Sequence, residues 1–313
     1  MKRRTRLAWL VFALGLLLPE LRPRVAPEPE RALPVPAQIR LLVGDEVREL
    51  PLEEYLVGVL AGEMPASFEP EALKAQAVAA RSYTLYCAAG HRHAEADICA
   101  DPAHCQSWLD ETALRRRWGA AYDGNLARLR EAVEATAGEC LCYEGRPVFA
   151  AFHASSPGAT EDCGAIWNPL PYLVSVPSPE SAETVPDYLS RRCLEPLDFR
   201  DTLLSAHPEA DFSGPAERWI GPLERDASGR VAQITLGGVV FRGTALRSLF
   251  SLRSTAFTLA YEDGQFCFTV TGHGHGVGLS QYGANIYAAA GRGYREILAH
   301  YYPGTTLESG VFG

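Results

Sequence analysis

The 313-residue sequence is short of positive charge, with 29 Lys and Arg residues against 38 Asp and Glu residues and a formal net charge of −9 at pH 7. Outside the N-terminus its only basic run is Arg115 to Arg117, which is typical of a solvated helix face. A field of this sign repels nucleic acid and anionic lipid. The sequence therefore predicts no nucleic-acid partner.

The chain also lacks a fixed-period repeat and the GxxxxGK(S/T) motif of a phosphate-binding loop, which argues against a P-loop nucleotide site. Hydrophobic residues make up 47% of the chain and charged residues 21%, as in a globular protein. The length is sufficient for one large domain or for two of ordinary size.

No apolar run is long enough for a typical membrane span, which takes about 20 residues. The apolar run at the N-terminus extends from Leu7 to Pro19, after a basic cluster and before a Pro-rich stretch, an order that indicates an export segment. Its shortness favours a cleaved signal peptide. The absence of a clear small-x-small cleavage site favours an uncleaved anchor whose basic residues stay in the cytoplasm.

These features divide the chain into three regions. Residues 1–22 form the signal or membrane-anchor segment, residues 23–37 a Pro-rich linker, and residues 38–313 the region that carries the activity. We expect this last region to lie outside the cytoplasm, tethered to the membrane or secreted. Eight cysteines in an exported chain would ordinarily form disulfides.

Helical and hairpin patterns are mixed without a regular βαβ order, which indicates the α+β class. Hairpins are predicted at the turns Gly44-Asp45 and Glu144-Gly145. The strongest helix covers residues 69–90, with Pro70 in its first turn and Gly90 after its end. Further helices are predicted at 52–62, 125–138 and 244–250 and twice within 279–304, a β-meander at 217–243, two strands ending at Thr271, and irregular segments at 90–110 and 176–215.

The loop HAEADICADPAHCQSW brings two histidines and two cysteines, His93, Cys99, His104 and Cys105, within 13 residues. This is the ligand set of a closed tetrahedral zinc site, which is structural because no position is left for water. His91 could replace His93, since the local sequence does not choose between them. The alternative is a Cys99–Cys105 disulfide with incidental histidines.

Glu63 lies among apolar residues in the stretch VLAGEMPASF, beside Gly62 and ahead of Pro65, at a turn between two predicted helices. Burial raises the pKa of a carboxyl group because it penalises the charged form. A carboxyl group with a raised pKa can donate a proton near neutral pH. The alternative is an exposed glutamate in an ordinary turn.

Two glycine- and hydroxyl-rich stretches are candidates for sugar binding. GHGHGVGLSQYG, residues 272–283, has four glycines in its first seven residues and then Ser280, Gln281 and Tyr282. Dense glycines let a backbone approach a ligand closely, and hydroxyl and amide groups bind sugars. The alternatives are a tight structural loop or a surface metal site. FHASSPGATE, residues 152–161, is a similar strand exit, or an ordinary polar loop.

Together these stretches resemble the stage II sporulation protein D (SpoIID) family, to which the amidase enhancer LytB is related. The resemblance runs in order across residues 53–305. It rests on EEYLVGVLAGEMPASFEPEALKAQAVAARSYTLY, the loop ending DPAHCQSW, FHASSPGATE, GTALRSLFSLRSTAF and GHGHGVGLSQYGANIYAAAGRGYREILAHYYPGT.

The resemblance implies a peptidoglycan lytic transglycosylase of sporulation and engulfment, folded around a substrate groove. Such an enzyme cleaves the β-1,4 bond between N-acetylmuramic acid and N-acetylglucosamine in peptide-stripped strands and leaves 1,6-anhydro ends. Glu63 of the GEMP motif would be its catalytic acid. The family's ligand spacing selects His93, not His91, for a structural Zn²⁺. The substrate-binding candidates are His153, Ser155, Ser156, His275, Ser280, Gln281 and Tyr282.

The resemblance also implies partners: peptidoglycan glycan strands, a SpoIIP-like cell-wall amidase and a membrane scaffold. Where the family often has Trp before GHGVG, this chain has His273, so a stacking contact would be lost. The cysteines outside the zinc set could form up to three disulfides, whose pairing the sequence does not give; they are Cys87, Cys140, Cys142, Cys163, Cys193 and Cys267.

Most glycosidases need two carboxylates. A lytic transglycosylase needs one, because the attacking group is the 6-hydroxyl of the muramic acid sugar itself, and we therefore expect Glu63 to act alone. One alternative is a non-catalytic enhancer of an N-acetylmuramoyl-L-alanine amidase. Another, a secreted zinc hydrolase, would need an open metal position, which the Cys and His set does not leave.

Overall fold

The computed structural model describes residues 34–312. The expected segment 1–22 and most of the expected linker 23–37 lie outside the described residues. The combination of helices with largely antiparallel sheets confirms the α+β class. Within residues 34–312, no helix is both long enough and apolar enough to cross a membrane.

The longest described helix, α2, begins at Pro70, whose fixed φ suits a first helical turn. Its Ala-rich sequence lets neighbouring elements approach closely, and buried Arg81 pairs with Glu53 of α1. The helices are α1 (Leu52–Glu63), α2 (Pro70–Ala89), α3 (Glu111–Trp118), α4 (Tyr122–Glu134), α5 (Cys163–Ile166), α6 (Pro196–Ala206), α7 (Gly243–Leu249), α8 (Gln281–Ala289) and α9 (Tyr294–Tyr301), with short 3₁₀ turns at Gly119–Ala121 and Ala216–Arg218.

The strands form several small sheets. Their bounds are β1 (Pro34–Val35), β2 (Gln38–Val43), β3 (Glu46–Pro51), β4 (Ile98–Cys99), β5 (Glu139–Tyr143), β6 (Arg146–Pro147), β7 (Phe152–His153), β8 (Leu189–Leu194), β9 (Ile220–Arg225), β10 (Val231–Leu236), β11 (Val239–Arg242), β12 (Phe257–Glu262), β13 (Gln265–Thr271), β14 (Leu279–Ser280), β15 (Thr306–Ser309) and β16 (Val311–Phe312). The sheet orders are β3-β2-β4, β15-β5-β6, β11-β10-β9, β12-β13-β8, β14-β7 and β1-β16.

Two hydrophobic cores support these elements. The larger core gathers buried residues of α1, α2, α4, β5 and α9. The second core is formed by residues from the sequence range 199–270 and is rich in phenylalanine. In it, the ring of Phe199 stacks on that of Phe266 with centroids 4.0 Å apart. The parallel pair β7 and β14 joins the two stretches predicted to bind sugar, with Ser280 opposite His153.

Both predicted hairpins, the 69–90 helix, the β-meander and the two C-terminal helices are confirmed. The prediction of an irregular segment at 176–215 is wrong, because β8 and α6 lie within it. Strand β8 has a polar sequence and forms by pairing with β13, which is distant along the chain, a tertiary contact that overrides local propensity. Helix α1 also continues through Gly62 and ends at Glu63.

Of the up to three disulfides expected, the described residues contain one, Cys193–Cys267, between paired residues of β8 and β13. The Sγ atoms of Cys140 and Cys142 lie 3.6 Å apart without a bond. Cys87 and Cys163 are free and buried. Cys99 and Cys105 are also free, so the alternative of a disulfide between them does not hold.

Candidate active site and metal centre

Glu63 is held at the C-terminal end of α1 by two neutral donors. Its Oε1 accepts the backbone N–H of Ser107 at 2.7 Å, and its Oε2 lies 3.4 Å from Nε2 of Gln281. Burial raises the pKa of this carboxyl, and the two hydrogen bonds offset part of the effect. The environment is not that of an exposed turn glutamate.

Two glycines of α1, one helical turn apart, let the segment 107–109 reach Glu63. A Cβ on Gly62 would lie 2.6 Å from Oγ of Ser107, and one on Gly58 would lie 2.8 Å from the carbonyl oxygen of Leu109. The N–H of Leu109 donates to the carbonyl of Gly58 at 3.2 Å. The backbone of this segment therefore packs directly on the helix, and it presents the Ser107 N–H to the carboxylate.

The four predicted metal ligands converge. The candidate ligand atoms of His93, Cys99, His104 and Cys105 lie within 4.8 Å of one another. Nε2 of His93 is 3.3 Å from Sγ of Cys105, and Nδ1 of His104 is 3.5 Å from Sγ of Cys99. Ligands at usual zinc bond lengths form tetrahedral edges of about 3.6 Å between nitrogen and sulfur. The donor set and its spacing fit a four-coordinate metal ion, and His91 is not part of the cluster.

The metal cluster and Glu63 are neighbours along the chain. Cys105 is followed by Gln106, whose buried amide donates to the hydroxyls of Tyr55 and Thr84 at 2.7 and 2.9 Å. The next residue, Ser107, donates to Glu63. The loop is thus fixed to α1 and α2 by Gln106, just before Ser107, and to α1 again by Leu109, just after it.

The glycine-rich turn, residues 272–278, packs on residues 151–155. Gly278 has φ +73°, and a Cβ there would overlap the carbonyl oxygen of Ala151. Gly276 has φ +89° and faces the guanidinium of Arg230, which would lie 2.6 Å from a Cβ. These glycines therefore permit close approach to the protein's own chain.

Two histidines of the predicted sugar-binding set are neutral at pH 7. Burial holds the pKa of His153 well below its usual value, and burial with the charge of Arg247 lowers that of His275 to about 4. Nδ1 of His153 donates to the carbonyl of Val277 at 3.2 Å, so its Nε2 accepts the hydroxyl of Ser156 at 2.6 Å. Neither ring is charged to act as a proton donor near neutral pH.

Glu180 is a site residue that the sequence analysis missed. Its Oε1 accepts the backbone N–H of Ser156 at 2.8 Å and the hydroxyl of Ser280. Its Oε2 is buried and has no hydrogen-bond partner among the described residues. Glu180 thereby ties the two candidate sugar-binding stretches together from a third segment. No local signal marks it, because its partners lie 24 and 100 residues away along the chain.

The remaining candidates differ in exposure and contacts. Ser156 and Ser280 have no exposed surface, and Ser155 is buried where its backbone pairs with His273. Among the seven substrate-binding candidates, Gln281 is the one whose side chain hydrogen-bonds to Glu63. Tyr282 is half-buried and packs edge-on against Phe68 with centroids 5.0 Å apart. The structure thus brings Glu63 next to the residues that follow the glycine-rich turn.

Comparison with known proteins gives concordant matches. The family model described as "Stage II sporulation protein" (SpoIID) matches residues 44–143. The chain is 35% identical over 278 residues to stage II sporulation protein D of Bacillus amyloliquefaciens, covering 88% of this chain and 79% of that protein. It is 33% identical over 282 residues to stage II sporulation protein D of Bacillus subtilis (strain 168), covering 88% and 80%.

A further relative carries a different name. The chain is 30% identical over 305 residues to the amidase enhancer of Bacillus subtilis (strain 168), covering 81% of this chain and 40% of that protein.

Proposed function

Because the chain belongs to the stage II sporulation protein D (SpoIID) family, we propose that it is a lytic transglycosylase that cleaves peptidoglycan glycan strands during sporulation. The bond cleaved is the β-1,4 bond between N-acetylmuramic acid and N-acetylglucosamine. The observation that carries the proposal is the environment of Glu63: a carboxyl group whose pKa burial raises and whose two oxygens face neutral donors. A raised pKa favours the protonated form of Glu63, which is the form that can donate a proton and later recover it.

The reaction needs one carboxyl group in two roles. Protonated Glu63 donates its proton to the glycosidic oxygen as the bond to C1 of muramic acid breaks. The Glu63 carboxylate then accepts the proton of the 6-hydroxyl while O6 bonds to C1, which closes the 1,6-anhydro ring and restores the acid. No water is consumed. In between, the Ser107 N–H and the Gln281 amide stabilise the carboxylate.

The substrate-binding candidates have three roles under this proposal. His153 and Ser155 contact the glycine-rich turn, and Ser156 and Ser280 are joined through Glu180, so these four buried residues fix the geometry of the site. The more accessible side chains of His275 and Tyr282 contact the sugar, and Gln281 contacts Glu63. Buried polar groups with satisfied partners fix a site geometrically.

The metal that the His and Cys cluster would hold is Zn²⁺ in a structural role. His93, Cys99, His104 and Cys105 would fill all four positions, so the ion would fix the 93–108 loop and activate no water. We expect one zinc per chain in metal analysis of the purified protein. His93→Ala should lose the zinc and its matched control His91→Ala should keep it; equal zinc in both variants contradicts the ligand set.

We further propose that the protein acts outside the cytoplasm, tethered by its N-terminal segment or secreted, where glycan strands lie. A cell-wall amidase and a membrane scaffold are its proposed partners. The likeness to the amidase enhancer supports the amidase.

Mass analysis of glycan strands digested by the full chain alone tests the activity. The account expects 1,6-anhydro ends, none from Glu63→Gln, and normal yield from Glu134→Gln, a matched change at an exposed site on α4. Normal product release by Glu63→Gln, with the protein folded, removes Glu63 from the mechanism.

The second candidate function is a non-catalytic amidase enhancer, which the 30% identity to a protein of that name favours. The same digestion separates the two. An enhancer leaves the glycan intact when alone and raises peptide release when an amidase is added. An enzyme produces anhydro ends without it.

A further inference from the structure

A cavity of about 560 Å³ lies beside the metal cluster, and Glu63 is not among its lining residues. Its walls include the aromatic side chains of Tyr86, Phe149 and Trp167, with His275 at one side. Successive ring centroids are 5.4 Å apart from Tyr86 to Phe149, 5.6 Å from Phe149 to Trp167 and 4.9 Å from Trp167 to His275. The aromatic row therefore reaches the sugar-binding candidate His275.

Two members of this row are unusually open to solvent. Trp167 is 41% exposed and Tyr86 is 39% exposed, although each packs on the same partner, Phe149. Large aromatic rings held on a firm base at the surface of a concave site are typical of ligand contacts. The C–H faces of a pyranose ring match such flat apolar surfaces, while its hydroxyl groups stay in water.

The cavity also contains a cation without a carboxylate partner among the described residues. Arg92 is exposed and lines the cavity, and its Nη1 donates to the hydroxyl of Tyr83 at 3.3 Å. No carboxylate of the described residues lies within 4.0 Å of its guanidinium. In a chain of net charge −9 such an arginine is available for a ligand, and the planar guanidinium forms bidentate pairs with carboxylates and phosphates.

We propose that this cavity is a subsite for an anionic sugar, with Trp167 and Tyr86 stacking on the rings and Arg92 binding a carboxylate. The assignment rests on the proposed function for the identity of the sugar. In a peptidoglycan strand, the carboxylate is the lactyl group of muramic acid from which the peptide has been removed. A lactyl group still joined to peptide is a neutral amide and gives Arg92 no charge to bind.

Binding measurements on the full chain test this assignment. All proteins carry Glu63→Gln to prevent turnover. The ligands are a peptide-free glycan oligosaccharide and a chito-oligosaccharide of equal length, which has no carboxylate. We expect the first to bind about tenfold more tightly, since a charged hydrogen bond accounts for a difference of that size. Arg92→Gln should remove this preference, and Trp167→Ala should weaken the binding of both ligands.

Controls separate this effect from damage to the fold. Arg242→Gln changes an exposed arginine on β11, in the part of the chain that forms the second core, and should keep the preference. Each variant must retain the zinc content of its parent, because Arg92 adjoins His93. If Arg92→Gln loses zinc, the preference is measured in Arg92→Lys instead. Lysine retains the charge but not the planar guanidinium, so this variant should show a smaller preference for the peptide-free glycan.

An unchanged preference in Arg92→Gln with its metal content intact, or no binding of either glycan to the parent, overturns the subsite. The readout is independent of cleavage. If the wild-type protein produces anhydro ends but the cavity variants bind glycan normally, the subsite proposal is wrong and the proposed activity is supported. If the protein prefers the carboxylate-bearing glycan but produces no anhydro ends, the subsite is supported and the proposed activity is wrong.

Discussion

Replacing Gln281 by Leu should move the pH dependence of catalysis to higher pH. Gln281 is buried and its amide Nε2 lies 3.4 Å from Oε2 of Glu63; Leu is similar in size but donates no hydrogen bond. A hydrogen bond to a charged group contributes about 1.5–3 kcal/mol, and this long one belongs at the low end. It favours the carboxylate over the acid, so its loss raises the pKa of Glu63.

The pH profile of kcat/KM is the assay, because it reports ionisation in the free enzyme. The acid form of Glu63 is needed, and it disappears on the alkaline limb. An effect of about 1.4 kcal/mol corresponds to a movement of that limb by about one pH unit, upward in Gln281→Leu. Gln233→Leu, which loses a hydrogen bond to Glu224 on a distant sheet, should leave the limb in place. A limb that stays fixed or moves to lower pH in folded Gln281→Leu refutes this reading of Glu63.

Three further predictions concern stability, measured by urea unfolding. Glu180→Ala should cost about 1–3 kcal/mol of unfolding free energy, because it leaves the Ser156 N–H unpaired and the Ser280 hydroxyl with only a long contact to the carbonyl of Ala154. Glu180→Gln keeps a hydrogen-bond acceptor and should lose much less unfolding free energy than Glu180→Ala. An equal loss of stability in the two variants contradicts the bridging role of Glu180. Gly58→Ala should destabilise by about 1–3 kcal/mol because its methyl meets the indole of Trp108 and the carbonyl oxygen of Leu109. Gly124→Ala, which points into open space within α4, should be neutral or stabilising; the opposite order argues against the helix-loop contact. The raised pKa of Glu63 in the fold makes its ionisation cost stability as pH rises from the unfolded value, about 4.3, through the folded one. Glu63→Gln removes this loss, so its stability relative to wild type should grow across that window, and a constant difference contradicts the burial effect.

Features set by local chemistry were predictable from sequence. The turn at Glu144-Gly145 needs φ near +51° and +70°, and Pro70 in the first turn of α2 and Gly90 after its last residue mark the ends of that helix. The convergence of the four metal ligands also follows from a single short loop. Choosing His93 over His91 needed the family resemblance, and the structure agrees with that choice.

Features set by distant contacts were not predictable. Glu180 lies in a stretch without periodicity, and it became recognisable as a site residue only through its contacts with Ser156 and Ser280. Strand β8 depends on pairing with β13, and its polar sequence carries no strong strand signal. Composition also suggested that the glycines of 272–278 would admit a ligand, whereas residues 151–155 and Arg230 occupy the space beside them.

The central claim is that the sugar's own hydroxyl, and not water, attacks when Glu63 protonates the glycosidic bond. Digestion of purified glycan by the full chain in heavy-oxygen water, followed by mass analysis of the new ends, tests this directly. The account predicts muramic acid ends that are one water lighter than hydrolysed ends and carry no heavy oxygen. Reducing ends labelled with heavy oxygen would contradict it.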